Sequence, residues 1–198
     1  CRANDQQPTA ASLLEWSFLC RHAFRIWLFL CKPAFHKTAT MTSDLIATDT
    51  ALADLCRALE GSAWIALDTE FLRERTYYAR LCLIQVGAPG IVACIDPLAL
   101  EQLDPLHALL ENPGQRKVLH AARQDLEVFN DLRRVVAAPL FDTQIAAAYL
   151  GYDDQIGYAA LVTAITGVAL DKTHTRTDWS KRPLSAAQHQ YAEDDVRY

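Results

Sequence analysis

Glycine is scarce in this chain, seven in 198 residues, and methionine occurs once, at position 41. Half of the residues are hydrophobic and 22% are charged, near the averages of globular domains, which excludes disordered, collagen-like and coiled-coil classes. An excess of positive charge is missing too. With 19 Lys+Arg against 24 Asp+Glu, a net of −5, the chain does not hold nucleic acid by bulk charge. Its six cysteines include no C-x-x-C pair, and Cys56, Cys82 and Cys94 lie singly in apolar runs. A disulfide framework or zinc site is therefore not expected, and a reducing, cytoplasmic compartment is. What is present suffices for the core of one ordinary globular domain.

The first forty residues differ from the rest. They contain no glycine, yet hold three of the six cysteines and four of the seven phenylalanines, and their net charge of +3 leaves −8 on residues 41–198. The apolar stretch from Leu13 to Phe35 is interrupted by Glu15, Arg21, His22, Arg25 and Lys32. A membrane span needs about 20 nearly uncharged residues, so none is expected here. No small-residue cleavage site follows the run from Trp27 to Cys31, as a secretory signal would require. The expectation is that translation begins at Met41, that residues 1–40 stand outside the native fold, and that residues 41–198 form the domain.

Periodicity organises that domain. Leu52, Leu55, Cys56 and Leu59 recur at helical spacing before Gly61-Ser62. Residues 64–71, 81–87 and 91–96 read as three strands, the last two joined by Ala88-Pro89-Gly90 as a hairpin-connected meander. A helix is expected from about Leu98 to Leu110, ended by Asn112-Pro113-Gly114. Strand, helix, strand and three helices follow, the last beginning near Ser185. The order is that of an α/β fold.

Asp68 and Glu70 lie two apart on a predicted strand, so both side chains emerge on one face while Thr69 points to the other. Adjacent carboxylates raise each other's pKa unless a cation lies between them, and the hard ions magnesium and manganese suit such oxygen ligands. A bare D-x-E also fits a solvated strand end. Two further features give it company: Asp125 at the start of a helix, which alone reads as a helix-end charge, and Tyr191 with Asp195 at i and i+4 on one helical face.

Strand D-x-E, helix-start Asp and Y-x-x-x-D, in that order, resemble the DEDD 3′-to-5′ exonucleases, within them the ribonuclease D group. The resemblance rests on IALDTEFLRERTYYARLCLIQVG, VLHAARQDLEVF, PLFDTQIAAAYLG, LDKTHTRTDWSKRPL and YAEDDVRY, and covers nearly everything from Trp64 to Tyr198. His189 and Asp194 offer the H-x-x-x-x-D spacing of the sister subclass, but the segment follows the tyrosine type. The resemblance implies a ribonuclease H-like fold with a mixed five-stranded sheet, an antiparallel meander and then parallel strands, flanked by helices. Since that group normally continues into helical HRDC modules, the helix carrying Asp195 reads as cut short at Tyr198.

The activity so implied is phosphodiester hydrolysis from a 3′ end, using two Mg²⁺ or Mn²⁺ ions and releasing 5′-mononucleotides. Asp68 would bridge the ions, Glu70 and Asp195 would complete the site that activates water, and Asp125 would hold the second ion. Tyr191 would orient the water, because a phenol with a pKa near 10 is a poor base at pH 7. RNA 3′ ends, tRNA precursors among them, are the implied substrate, with no membrane and no obligate protein partner. A DNA exonuclease of the same fold and a catalytically idle nucleic-acid-binding domain are the alternatives. Arg73, Arg75, Lys172, Arg176 and Arg182 are candidate phosphate contacts or ordinary surface charges. Trp179 would stack on a base or pack against the Arg182-Pro183-Leu184 turn. Asp142 reads as a helix N-cap, and Leu67 and Phe71 as core or as a wedge for the terminal base.

Overall fold

A computed structural model describes residues 45–73, 77–171, 173, 174 and 177–198. The expectations for residues 1–40 and for a start at Met41 lie outside the described residues.

Five strands, β1 (Trp64–Leu72), β2 (Arg80–Ala88), β3 (Ile91–Ile95), β4 (Arg116–Leu119) and β5 (Leu140–Asp142), form one sheet in the order β3-β2-β1-β4-β5. The first three pair antiparallel, β4 runs parallel to β1, and β5 runs parallel to β4. The mixed five-stranded α/β architecture is the one expected. The tight β2–β3 link is possible because Gly90 adopts φ +82°, open to a residue without a side chain. β1 lies at the centre, and its residues alternate between buried and half-buried as two differently covered faces require.

Six helices flank the sheet among the described residues: α1 (Asp49–Leu59), α2 (Asp104–Glu111), α3 (Arg123–Arg133), α4 (Thr143–Tyr149), α5 (Tyr158–Thr166) and α6 (Ala186–Arg197). On one face, Leu52 and Leu59 of α1, Leu106 and Leu110 of α2 and Phe129 of α3 pack with Ile65 in the main core. The other face is covered by α6, where Ala192 packs with Leu83, Cys94, Trp179 and Leu184 in a second cluster. Leu67 belongs to the main core, and Phe71 packs against it.

The expected helix from Leu98 is a correction, since α2 begins only at Asp104. Pro105 explains the difference. Proline is tolerated in a first turn, but inside a longer helix its ring would meet the carbonyl four residues back. Asp142 does cap α4, its carboxylate accepting from the amides of Gln144 and Ile145. α6 starts with a capping box in which the Ser185 hydroxyl accepts from the Gln188 amide and the Gln188 side chain accepts from the Ser185 amide.

Docking of α6 depends on Gly87 of β2. A Cβ there would collide with the backbone carbonyl oxygen of Val196, so the missing side chain lets the helix approach the strand. Val196 adjoins Asp195, and this approach sets the depth of the helix that completes the site.

Candidate active site

Strand alternation sends Asp68 and Glu70 toward the face covered by α6. Helical spacing places Asp195 above them, and one carboxylate oxygen from each of Asp68, Glu70 and Asp195 lies within 4.8 Å of the others. The three residues are half-buried. With three acids so close, protonation is favoured. Burial, then the charges of Asp125, Asp195 and Glu70, pushes Asp68 well above the usual carboxylate range. Burial, then Asp195 and Asp125, pushes Glu70 up to about 8, and burial followed by Asp194 pushes Asp195 up to about 7.

A divalent cation would relieve this repulsion. The donors are all carboxylate oxygens, with no thiolate or imidazole, and such a set suits Mg²⁺ or Mn²⁺ rather than a softer metal. The residues present fit a hard metal ion.

Asp125 stands at the edge of this trio and does not complete it. It is buried in the first turn of α3, where the Thr69 hydroxyl donates to its carboxylate. Burial raises the pKa of Asp125, while the Thr69 bond favours its charged form. Thr69 is a site residue that sequence reasoning passed over, because alternation alone sends it away from Asp68 and Glu70.

Tyr191 and Asp195 share a face of α6, and the Tyr191 ring meets those of His174 and Trp179 at centroid distances of 6.0 and 5.9 Å. Of the alternative pair, neither His189 nor Asp194 belongs to the trio. The Asp194 carboxylate accepts from Gln190 and Arg197 of its own helix instead. A second unanticipated residue holds the end of α6: the Tyr158 hydroxyl donates to the Asp194 carbonyl at 3.1 Å and accepts from the Tyr198 amide. The Tyr158 ring lies against His120, whose pKa burial lowers and whose Nε2 donates to the Ile156 carbonyl at 2.9 Å.

Of the candidate substrate contacts, Trp179 takes the packing alternative and Arg182 is corrected to an internal anchor. Trp179 is 2% exposed and packs between the sheet and α6, so it has no face to offer a base. It supports Tyr191 instead. Arg182 has both ends of its guanidinium engaged, Nε and Nη2 donating to the buried Asp96 carboxylate at 2.7 Å. Further bonds run from Arg182 to the carbonyls of Cys82, Trp179 and Lys181, so it anchors the segment leading into α6. Arg73 is exposed just past Glu70 and pairs with Glu127 at 3.1 Å. Arg75, Lys172 and Arg176 lie outside the described residues.

A profile of the 3′-5′ exonuclease family matches residues 44–198. The ribonuclease D of Acidiphilium cryptum is 50% identical over 156 residues, which are 78% of this chain and 40% of that relative. Among solved structures, Escherichia coli ribonuclease D, described as an exoribonuclease involved in structured RNA processing, superposes with a TM-score of 0.76. It is 47% identical over 79% of this chain and 42% of that one. Brucella melitensis NrnC with bound Mg²⁺ superposes with a TM-score of 0.62 at 29% identity, over 71% of this chain and 70% of that one. The chain thus spans about two fifths of the length of the curated relatives it matches.

Proposed function

The chain belongs to the 3′-5′ exonuclease family, and from that membership we propose that it is a ribonuclease D-like exoribonuclease, hydrolysing RNA from the 3′ end to 5′-mononucleotides. The observation that carries this reading is the convergence of Asp68, Glu70 and Asp195 on one face, with Tyr191 one turn from Asp195. The ribonuclease D relatives support RNA as substrate, and the involvement of the E. coli protein in structured RNA processing supports precursor RNAs, tRNA precursors among them.

Asp68, Glu70 and Asp195, with Asp125 beside them, would hold the divalent ions. The Mg²⁺-bound neighbour supports magnesium, and manganese has the same donor preference. When bound, the ions stabilise charge on the attacking and leaving oxygens of an in-line displacement. Tyr191 would hold the water in line with the scissile P–O3′ bond through its hydroxyl. The water oxygen bonds to phosphorus as the P–O3′ bond breaks, the water gives up a proton to solvent, the leaving 3′ oxygen takes one from solvent, and the nucleotide departs with its 5′-phosphate. Arg73, exposed three residues past Glu70, is the described cation best placed to meet a backbone phosphate.

No helix among the described residues is long and apolar enough to cross a membrane. The unpaired thiols of Cys56, Cys82 and Cys94 support a reducing compartment, hence the cytoplasm. The test is release of mononucleotides from matched labelled RNA and DNA with Mg²⁺. RNA is degraded from its 3′ end and Asp68→Ala abolishes the activity; binding without release, or preference for DNA, overturns the assignment.

A further inference from the structure

Gln85 lies in the middle of β2 with no exposed surface, and neither its Nε2 nor its Oε1 has a hydrogen-bond partner. A buried amide left unpaired costs stability that an apolar side chain of the same size would not. Packing therefore does not account for glutamine at this position.

Its neighbours narrow what it serves. Leu83 and Gly87 stand two residues away on the same strand face, and α6 covers that face with Ala192 and Val196. Across to β3 the paired residue is Cys94, whose thiol is only a weak hydrogen-bonding group. Across to β1 the paired residue is Asp68. Directly opposed residues of antiparallel strands have Cβ atoms about 5 Å apart and project to the same side, within reach of a glutamine amide. Glu70 lies on the diagonal.

We infer that Gln85 is a positioning residue for the metal site: its Nε2 donates to the Asp68 carboxylate when that group is turned toward a cation, and fixes which oxygen it presents. The inference rests on the reading of Asp68 as a metal ligand. Its role is that of the outer hydrogen bonds that orient ligands in other metal sites, whose loss weakens metal affinity about 10- to 100-fold.

The test follows Mn²⁺ binding by electron paramagnetic resonance, and melting in EDTA, for the parent chain, Gln85→Met, Gln85→Leu and Asp68→Asn. Gln85→Met and Gln85→Leu should melt at or above the parent temperature in EDTA and bind Mn²⁺ at least about 10-fold more weakly. Either variant suffices where the other does not fold. A lowered metal-free melting temperature with unchanged Mn²⁺ affinity overturns the inference and leaves packing as the role of Gln85. A parent chain that binds no Mn²⁺ overturns the metal-site reading along with it. Binding by the parent that Asp68→Asn abolishes supports that reading whatever the Gln85 variants do.

Discussion

The hydroxyl of Thr69 donates to the carboxylate of Asp125, tying the central strand to the first turn of α3. Thr69→Val keeps the shape and removes the donor. Leaving a buried acceptor unpaired costs about 1–3 kcal/mol, and the same loss shifts Asp125 further toward its neutral form. The expected result is a lower melting temperature and a Mg²⁺ requirement moved to higher concentration, read from melts and Mg²⁺ titrations of activity. Unchanged Mg²⁺ dependence would separate Thr69 from the site.

Raised carboxylate pKa values give the metal-free protein a definite pH profile. Glu70 at about 8 and Asp195 at about 7, both raised first by burial, stand above their unfolded values near 4. Between those limits the folded chain holds protons that the unfolded chain has released. The contribution of these two groups to stability is therefore fullest below about pH 4 and is lost as pH rises through 7 and 8. In EDTA the melting temperature should fall between about pH 5.5 and 8.5, and saturating Mg²⁺, which binds the ionised form, should reduce the fall. A metal-free profile that rises with pH contradicts the assignment.

Tyr191 and His189 sit on the same helix and separate cleanly. Tyr191→Phe keeps the ring against Trp179 and removes the hydroxyl, so turnover should fall on the order of 100-fold or more while the melting temperature changes little. His189→Ala should leave turnover largely intact. Steady-state kinetics on one RNA substrate decides, and the reverse ranking would assign the site to the histidine type.

Gly87→Ala tests the seating of α6. The added methyl meets the Val196 carbonyl, a main-chain atom that cannot rotate away, so the helix must shift. Overpacking of this kind costs about 1–3 kcal/mol. Activity should fall by more than the melting temperature implies, because Asp195 moves with the helix. Full activity with a lowered melting temperature would show that the trio tolerates the displacement.

Much of this was legible in the sequence because it follows from local geometry. Two-residue alternation puts Asp68 and Glu70 on one face, and the i, i+4 rule pairs Tyr191 with Asp195. Contacts set by register or by distant packing were not legible. Arg182 reads as a surface cation until the chain brings Asp96 beside it from 86 residues away, and Trp179 reads equally as a stacking platform or a packed ring until α6 closes over it. Gln85 reads as an ordinary strand residue until pairing sets it opposite Asp68. Only Pro105 was a local signal passed over, since it marks the first turn of α2.

The trio joins Asp68 and Glu70 of the first strand to Asp195 of the last described helix, carboxylates far apart along the chain and a few ångströms apart in space. Because a polypeptide emerges from the ribosome N-terminus first, the strand acids are in solution well before the helix that supplies the third carboxylate. A nascent chain without α6 carries an incomplete ligand set. The carboxylate trio therefore comes together only after synthesis has passed Asp195 and the helix has settled over Gly87.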